Sequence, residues 1–505
     1  MALAIGAPLA AAAADVQLAF VPMDDRPATE LFPQQTAAIC GAHLLLPPQP
    51  LLGHFTQAGD ADAIGQWLSD LDTTSLRAVV VSADMLAYGG LIASRIAATP
   101  LATARARIAA LTRFHQAHPA IPIYAFATVM RLAPTETPQT EPYLDALTSF
   151  ARSAGAQAGT DEQTALAGWR AQIPDAAYWD YIGARARDLD IDEMLVRMAA
   201  VGDIAWLAVT QDDAGSPDGL QVSDRSALVN AANALDVRGR VFFGPGADEM
   251  GMVAVTRAIE DEARWHPQAE IAYSVATGRS AQDPLEDIPV GGTLEAAFRE
   301  LGLREAGARP DIRLAVFAPS TSAQERSQFV ARLAADMRAG TPVAIVDLSF
   351  IDDDIAQERA AFEALQTAQA AALPTSFASW NTTANSAGTA LSAGVCAGVA
   401  THEGVDTALA RTNFLFDRYV DDYAYRLLVR PGLNAQLRGD GFDTYALGAH
   451  AAQAQSQMRA QLWPLALDLF DATFAGQWDQ RELSMYLPWQ RTFEIQLNTT
   501  LASKR

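Results

Sequence analysis

The chain has 505 residues, of which 50% are hydrophobic and only 19% are charged, a composition typical of a globular protein. Its net charge of −23 argues against a nucleic-acid-binding protein and against electrostatic docking on anionic lipid, because both need a basic surface. The length allows one large domain together with a second, smaller one.

The amino-terminal segment has its own composition. Residues 1–14 are almost all Ala, Leu, Ile, Gly and Pro, and they resemble the apolar core and Ala-x-Ala cleavage region of a secretory signal peptide without its basic start. We therefore expect a periplasmic or secreted protein, with a cytoplasmic location as the alternative. No later run reaches the roughly 20 apolar residues of a membrane span, so we expect no insertion into a membrane.

Short apolar runs alternate with stretches of helical periodicity along most of the chain. Strands are predicted at residues 16–22, 43–46, 76–82, 121–128, 204–209, 240–243, 270–275, 313–317, 342–346 and 376–379. Helices are predicted at residues 29–40, 60–71, 100–117, 222–236, 250–264, 322–339 and 356–371.

This alternation predicts βα units and a mostly parallel sheet, and hence an α/β fold. We expect a (β/α)₈-like barrel over residues 15–403, with a helical insertion at about 135–200 and a C-terminal helical region, 404–505, packed on the barrel. The alternative is a two-lobed protein with two doubly wound parallel sheets and a boundary near residues 265–310. Both folds place the functional site at the carboxyl ends of the strands.

The cysteine and histidine patterns suggest no metal and no cofactor. Cys40 and Cys396 lie in small, apolar surroundings, which favours two buried free thiols over a disulfide. The seven histidines include no HxH or HExxH pair, so we expect no zinc. A Gly-x-Ser-x-Gly motif after a strand and a Gly-x-Gly-x-x-Gly motif after the first strand are both missing, so neither a serine triad nor a nucleotide cofactor is indicated.

Polar and aromatic residues follow many of the predicted strands and would converge on one face of a parallel sheet. The alternative is that they simply mark where strands reach solvent. The candidates are Asp24, Asp25, Arg26, Asp84, Tyr88, Arg131, Asp212, Asp213, Asp248, Glu249, Trp380 and Asn381.

The pair Asp212 and Asp213 is the strongest catalytic candidate, with Glu249 as a third. Two nearby carboxylates push their pKa values apart, which leaves one protonated and one charged. Glycoside cleavage needs this combination, because one carboxyl group protonates the leaving oxygen and the other stabilises or activates the nucleophile. In the alternative interpretation Asp213 starts an Asx-turn, and Asp212 and Asp248-Glu249 cap helices.

The remaining candidates suit a sugar. Fixed carboxylates and arginine bind sugar hydroxyls. Tyr88, Trp179 and Trp380 could stack on a sugar ring, although large aromatics are more often part of the core. We therefore predict a glycoside hydrolase-like enzyme whose partner is a small neutral or N-acetylated carbohydrate. Two alternatives remain open: a hydrolase or lyase that holds Mg²⁺ or Ca²⁺ on the same acids, and a non-catalytic carbohydrate-binding protein.

Four motifs together carry a resemblance to a known family. They are Val-Pro-Met-Asp24-Asp25-Arg26-Pro27, Ser82-Ala-Asp84-Met-Leu-Ala-Tyr88-Gly89-Gly90-Leu-Ile-Ala-Ser-Arg95, Gln211-Asp212-Asp213 and Trp380-Asn381-Thr-Thr-Ala-Asn385. From about residue 16 to beyond 490 the chain resembles a bacterial family called domain of unknown function 4127, a resemblance that implies no activity.

A second resemblance covers only a few residues. An apolar strand that ends in Asp-Asp is similar to the fourth strand of barrel hydrolases that act on N-acetylhexosamines. This similarity implies that Asp212 orients the substrate's acetamido group, Asp213 donates the proton and Asn381 binds the sugar.

Overall fold

A computed structural model of the protein describes residues 16–155, 160–306, 309–352 and 354–504. Six parallel strands form the first sheet: β1 (Val16–Val21), β2 (Ala42–Leu45), β3 (Leu76–Ser82), β4 (Ile123–Val129), β5 (Trp206–Gln211) and β6 (Val241–Pro245). Five parallel strands form the second: β7 (Gln268–Tyr273), β8 (Arg304–Glu305), β9 (Ile312–Phe317), β10 (Val343–Asp347) and β11 (Ser376–Ala378). An antiparallel hairpin lies near the C-terminus, formed by β12 (Trp478–Tyr486) and β13 (Gln496–Ser503).

The two parallel sheets share one strand order. The first runs β2-β1-β3-β4-β5-β6 and the second, read from its other edge, runs β8-β7-β9-β10-β11. In both, the first strand lies between the second and the third, as in flavodoxin-like doubly wound sheets. The α/β class with parallel sheets is therefore confirmed. The eight-stranded barrel is not, because among the described strands no pairing joins the two sheets into a ring.

Helices cover both faces of each sheet, because strands that are buried on both faces need a layer on each side. The outer face of the first sheet packs against α2 (Ala61–Ser69), α3 (Ala83–Tyr88), α5 (Leu101–Ala117), α8 (Asp175–Val201) and α9 (Leu220–Ala234). The layer between the sheets contains α1 (Phe32–Cys40), α4 (Leu91–Ser94), α10 (Met250–Ala263), α11 (Val290–Glu300) and α14 (Thr383–Glu403). The remaining α-helices are α6 (Leu144–Ser153), α7 (Thr160–Arg170), α12 (Ala323–Arg338), α13 (Ile355–Thr367), α15 (Ala408–Arg418), α16 (Arg430–Gly439) and α17 (Ala451–Thr473).

Helix α14 lies at the centre of the molecule and was not predicted. It consists mostly of Ala, Gly, Ser and Thr and is buried on nearly every side, so it lacks the apolar stripe that marks an amphipathic helix. Small residues let its neighbours approach closely: a Cβ on Gly388 would lie 2.4 Å from Cγ of Glu249. The helix thus brings the two sheets close together.

The prediction of two free thiols is wrong. Cys40 at the end of α1 and Cys396 in α14 form a disulfide, with their Cα atoms 4.3 Å apart. The two residues are 356 positions apart in sequence, and only the packing of α1 against α14 brings them together. Spacing along the chain could not reveal that contact.

The C-terminal region combines helices with an element that was not predicted. Helices α15, α16 and α17 and a π-helical stretch at Tyr419–Val429 agree with the predicted helical region, but the β12–β13 hairpin does not. The predicted insertion at about 135–200 contains α6, α7 and α8, whereas the signal-like residues 1–14 lie outside the described residues. None of the described helices combines the length and the hydrophobicity needed to cross a bilayer.

Candidate functional site

A cleft lies where the carboxyl ends of the two sheets meet. It comprises one cavity of about 510 Å³, one of about 260 Å³ and a small one of about 20 Å³. Asp248 after β6 and Asn381 after β11 line all three cavities, and Arg26 after β1 lines the two larger ones. The first and second sheets therefore contribute to one continuous site, as expected for ligands of doubly wound folds.

Asp212 and Asp213 lie side by side in this cleft, and each has an arginine of its own. Arg95 Nη2 donates to Asp212 Oδ2 at 2.5 Å, and Arg131 Nη1 donates to Asp213 Oδ2 at 3.0 Å. The side chain of Asp212 is 10% exposed, whereas that of Asp213 is 26% exposed. Asp213 is therefore the member of the pair that a bound molecule can reach more easily.

The surroundings of Asp213 shift the pKa of its carboxyl group. Burial and then the neighbouring charge of Asp212 raise the pKa of Asp213 to about 6, although Arg131 and Arg95 oppose the shift. Burial, followed by the nearby charge of Arg131, lowers the pKa of Arg95 from its ordinary value. The four side chains thus form a compact cluster of two neighbouring ion pairs, Arg95 with Asp212 and Arg131 with Asp213.

Two residues of the small cavity have a left-handed backbone. Asp213 has φ 35° and Asn381 has φ 56°, a region that residues other than glycine rarely adopt and that Asp and Asn tolerate best. At Asp213 this conformation ends the alternation of the strand, which would point consecutive side chains to opposite faces. As a result, Asp212 and Asp213 both line the same cavities.

Arg26 joins the exit loops of two strands. Its guanidinium lies between two carboxylates, with Nη2 at 2.8 Å from Asp24 Oδ2 and at 2.7 Å from Asp248 Oδ1. Asp24 is almost fully buried, so its hydrogen bond fixes the position of the Arg26 guanidinium. Asp25 points elsewhere and accepts a hydrogen bond from Trp489 Nε1 at 2.6 Å, while His54 Nδ1 lies 2.8 Å from its other oxygen.

Three further predicted site residues are buried and do not line these cavities. Glu249 accepts a hydrogen bond from Asn385 Nδ2 at 2.5 Å. Asp84 accepts from the backbone and the hydroxyl of Thr128 at 3.1 and 3.0 Å. Tyr88 has the guanidinium of Arg187 stacked 4.1 Å from its ring centre.

Burial sets the protonation of the two buried acids. It raises the pKa of Glu249 to about 7 and the pKa of Asp84 to about 7, the latter with a contribution from Asp188. Glu249 is still connected to the cleft, because Asn385 Oδ1 accepts from Asn381 Nδ2 at 2.6 Å. Glu249 therefore orients Asn381 through Asn385.

Sequence reasoning missed several residues that line the cleft. Arg95 stands in the motif after Gly89-Gly90, well beyond the strand end at which site residues were expected. The loop between β12 and β13 brings Trp489, Arg491 and Phe493 to the cleft from the far end of the chain. No pattern of strand and loop could indicate these residues, because a hairpin was not predicted there.

The described residues contain no group of three or more His, Cys, Asp and Glu side chains placed to share a metal ion. Asp212, Asp213 and Asp248 instead pair with arginines in the cleft. Guanidinium groups occupy the positions beside these carboxylates at which a cation would bind.

The sequence profile of a family described as "Protein of unknown function (DUF4127)" matches residues 18–498. The chain belongs to this family. No curated protein and no solved structure matches it. The proposed similarity to barrel hydrolases of N-acetylhexosamines therefore finds no support in these comparisons, and an activity has to be argued from the site itself.

Proposed function

We propose that this member of the DUF4127 family is a glycoside hydrolase that uses Asp213 as its proton donor and Asp212 as the partner carboxylate. The observation that carries the proposal is the placement of two adjacent carboxylates in a cleft, each with its own arginine. Acid–base cleavage of a glycosidic bond needs one carboxyl group that donates a proton and one that stays charged.

Asp213 suits the role of donor. Its pKa of about 6 keeps a useful fraction of the carboxyl group protonated near neutral pH, and its side chain is the more accessible of the two. Proton transfer to the glycosidic oxygen would break its bond to the anomeric carbon, which then takes up the oxygen of a water molecule while a proton of that water returns to Asp213. Between the two steps Asp213 is charged and lies beside Arg131, which stabilises that state. Arg131 thus assists the chemical step.

Asp212 suits the role of the charged partner. Arg95 holds it at 2.5 Å and fixes its orientation, so its carboxylate can face the positive charge that develops on a sugar ring in the transition state. For an N-acetylated sugar, the same carboxylate would orient the acetamido group.

The other cleft residues suit a carbohydrate. Asn381 and Asp248 offer planar amide and carboxylate groups for hydroxyls, and Trp380 is partly exposed on the wall of the largest cavity of the cleft. Trp380 is held by a hydrogen bond from its Nε1 to Thr389 at 3.1 Å and by an edge contact with Phe32. A fixed aromatic ring beside hydrogen-bonding groups is typical of sugar sites.

A panel of 4-nitrophenyl glycosides tests the proposal, with release of nitrophenolate as the readout and EDTA in a parallel series. We expect turnover of at least one glycoside, unchanged by EDTA. Turnover that EDTA abolishes would favour the metal-dependent hydrolase or lyase. Saturable binding of sugars without any turnover would favour a carbohydrate-binding protein. Either of these two results would overturn the proposed acid–base mechanism with Asp213 and Asp212.

We also propose that the protein works in the periplasm or outside the cell. The Cys40–Cys396 disulfide supports this location, because such bonds form and persist in oxidising compartments. Protein from cells whose thiols are blocked before lysis should react with a maleimide only after reduction and unfolding. Labelling of both cysteines without a reductant would contradict the location.

A further inference from the structure

The largest cavity of the cleft, about 510 Å³, extends away from the catalytic pair on the side of the second sheet. Its walls combine charged side chains with aromatic and aliphatic ones, and Phe32, Phe350, Trp380 and Phe493 are among the aromatic residues. It meets the remainder of the cleft at Asp248 and Asn381, which also line the small cavity next to Asp213. A molecule that reaches Asp213 can therefore extend into this space.

The charged residues of this cavity are almost all paired. Arg426 forms a close salt bridge with Glu358, Arg26 binds Asp248, and two further carboxylates are held by arginines at the cavity's edge. These last two pairs are Arg418–Asp421 and Arg491–Glu494. Each of these carboxylates already has a cation.

Arg430 is the exception. It lines the cavity at the start of α16, and its Nη1 donates to the carbonyl oxygen of Phe493 at 2.8 Å. Its guanidinium also lies 5.5 Å from the ring centre of Phe493, which fixes its position. The charge of Asp421 on the same wall interacts with Arg430, but none of the described carboxylates forms a salt bridge with it. An oriented guanidinium therefore faces a cavity of ligand size with N–H groups left to donate.

We propose that this cavity binds an acidic sugar unit, with the sugar carboxylate on Arg430 and the ring against Trp380. The proposal rests on the glycoside hydrolase function inferred above and names a uronic acid as the unit that occupies this cavity, next to the sugar at Asp213. A planar guanidinium binds a carboxylate through two parallel hydrogen bonds, which neutral hydroxyls cannot replace.

The overall charge of the chain argues for short-range recognition. A net charge of −23 repels an anion at a distance, and salt screens that repulsion beyond about 8–10 Å. A uronate must therefore be held by direct contact with Arg430 inside the partly apolar cavity, where the lower dielectric strengthens the pairing.

The test measures binding rather than turnover, by titration calorimetry with D-glucuronate and D-galacturonate against D-glucose and D-galactose. The full chain carrying Asp213→Asn is used with and without Arg430→Met. Arg481→Met is the matched control, because Arg481 is an exposed arginine on β12. Arg430→Lys serves as a second variant that keeps the charge but not the planar fork.

We expect the uronates to bind about tenfold or more tightly than the neutral sugars. Arg430→Met should remove that preference while leaving the thermal midpoint within a few degrees of the parent, Arg430→Lys should recover part of it, and Arg481→Met should leave it unchanged. Equal binding of acidic and neutral sugars, no binding of either, or a preference that survives in Arg430→Met would overturn the proposal. If uronates bind through Arg430 but no glycoside is cleaved, the binding site stands and the proposed hydrolase activity fails.

Discussion

Two pairs of consecutive acids stand after neighbouring strands of the first sheet, and their side chains go to different places. After β5, Asp212 and Asp213 both line the cleft. After β6, Asp248 lines the cleft, whereas Glu249 turns into the interior and binds Asn385. The same pattern of residues therefore yields two acids that line the cleft after β5, and one acid that lines the cleft beside a buried one after β6.

The difference arises from the backbone conformation at the second acid of each pair. Asp213 opens a loop and has a left-handed φ of 35°, which keeps its side chain on the same side as that of Asp212. Glu249 has φ −80° and ψ −14° and leads directly into α10 at Met250. A helical start rotates successive side chains by about 100°, so Glu249 points toward α14 while Asp248 stays in the cleft. A doublet of acids becomes a catalytic candidate only when the backbone prevents that rotation.

The largest expected effect concerns the exposed member of the first pair. Asp213→Asn removes the proposed proton donor and should lower kcat/KM for a phenyl glycoside by about 10²–10⁴-fold, with the fold intact. Steady-state kinetics and a thermal unfolding curve measure both. Asp218→Asn, an exposed acid a few residues further along the same loop, is the control and should behave like the wild type. Full activity in Asp213→Asn would show that the pair after β5 is no more catalytic than the pair after β6.

The second prediction concerns Arg26, which binds Asp248 of the second pair of acids. Arg26→Met leaves the carboxylates of Asp24 and Asp248 without their shared cation, so the free energy of unfolding should fall by about 3–5 kcal/mol. Urea denaturation gives the value. Arg481→Met removes an exposed arginine and should cost less than about 1 kcal/mol. A similar small cost for both variants would show that Arg26 does not hold the two loops together.

The third prediction concerns the acids that surround Glu249. Burial raises the pKa of Glu249 to about 7 and that of Glu300 to about 8, and burial with Asp283 raises the pKa of Glu286 to about 8. Because these folded-state values exceed the unfolded ones, the stability that the protonated groups contribute is fully present below about pH 4.5 and is lost as pH rises through 7–8.

Urea denaturation at pH 5.5 and pH 8.5 measures this loss, which should be at least about 3 kcal/mol, the contribution of one group with a pKa near 8. Glu300→Gln should flatten the dependence, since an amide does not ionise. A protein that becomes more stable between these two pH values would contradict the proposed protonation of the buried acids.

The smallest expected effect belongs to Glu249 itself. Glu249→Gln keeps an acceptor for the amide of Asn385, so kcat/KM should fall by less than about tenfold. We expect the change mainly in KM, because Glu249 orients Asn381 rather than touching the reacting atoms. A loss in kcat as large as that of Asp213→Asn would mean that both doublets supply catalytic acids.

Much of the cleft could be predicted from one rule, that polar residues at the carboxyl ends of parallel strands converge. Arg26, Arg131, Asp212, Asp213, Asp248, Trp380 and Asn381 were predicted in this way, and all of them line the cleft. The rule cannot tell how far a side chain turns after its strand. It therefore also selected five residues that do not line the cavities of the cleft: Asp24, Asp25, Asp84, Tyr88 and Glu249.

Other features depend on contacts between distant parts of the chain. The helix α14 lacks an apolar stripe because it is buried all round, and the Cys40–Cys396 bond forms only when α1 packs on that helix. Closure of the strands into one ring or into two sheets depends on pairing, which local periodicity does not specify. Arg430 and Trp489 reach the cleft from the C-terminal region, where no predicted strand ended.

The central claim is that Asp213 donates a proton to the leaving group. The most direct test compares how much kcat/KM falls in Asp213→Asn for two substrates whose leaving groups differ in their need for a proton. A 2,4-dinitrophenolate leaves without protonation, whereas a phenolate needs it. We predict that Asp213→Asn loses at least about 10²-fold in kcat/KM on the phenyl glycoside of the preferred sugar and less than about tenfold on its 2,4-dinitrophenyl glycoside. Equal losses on the two substrates, or no loss on either, would show that Asp213 is not the proton donor.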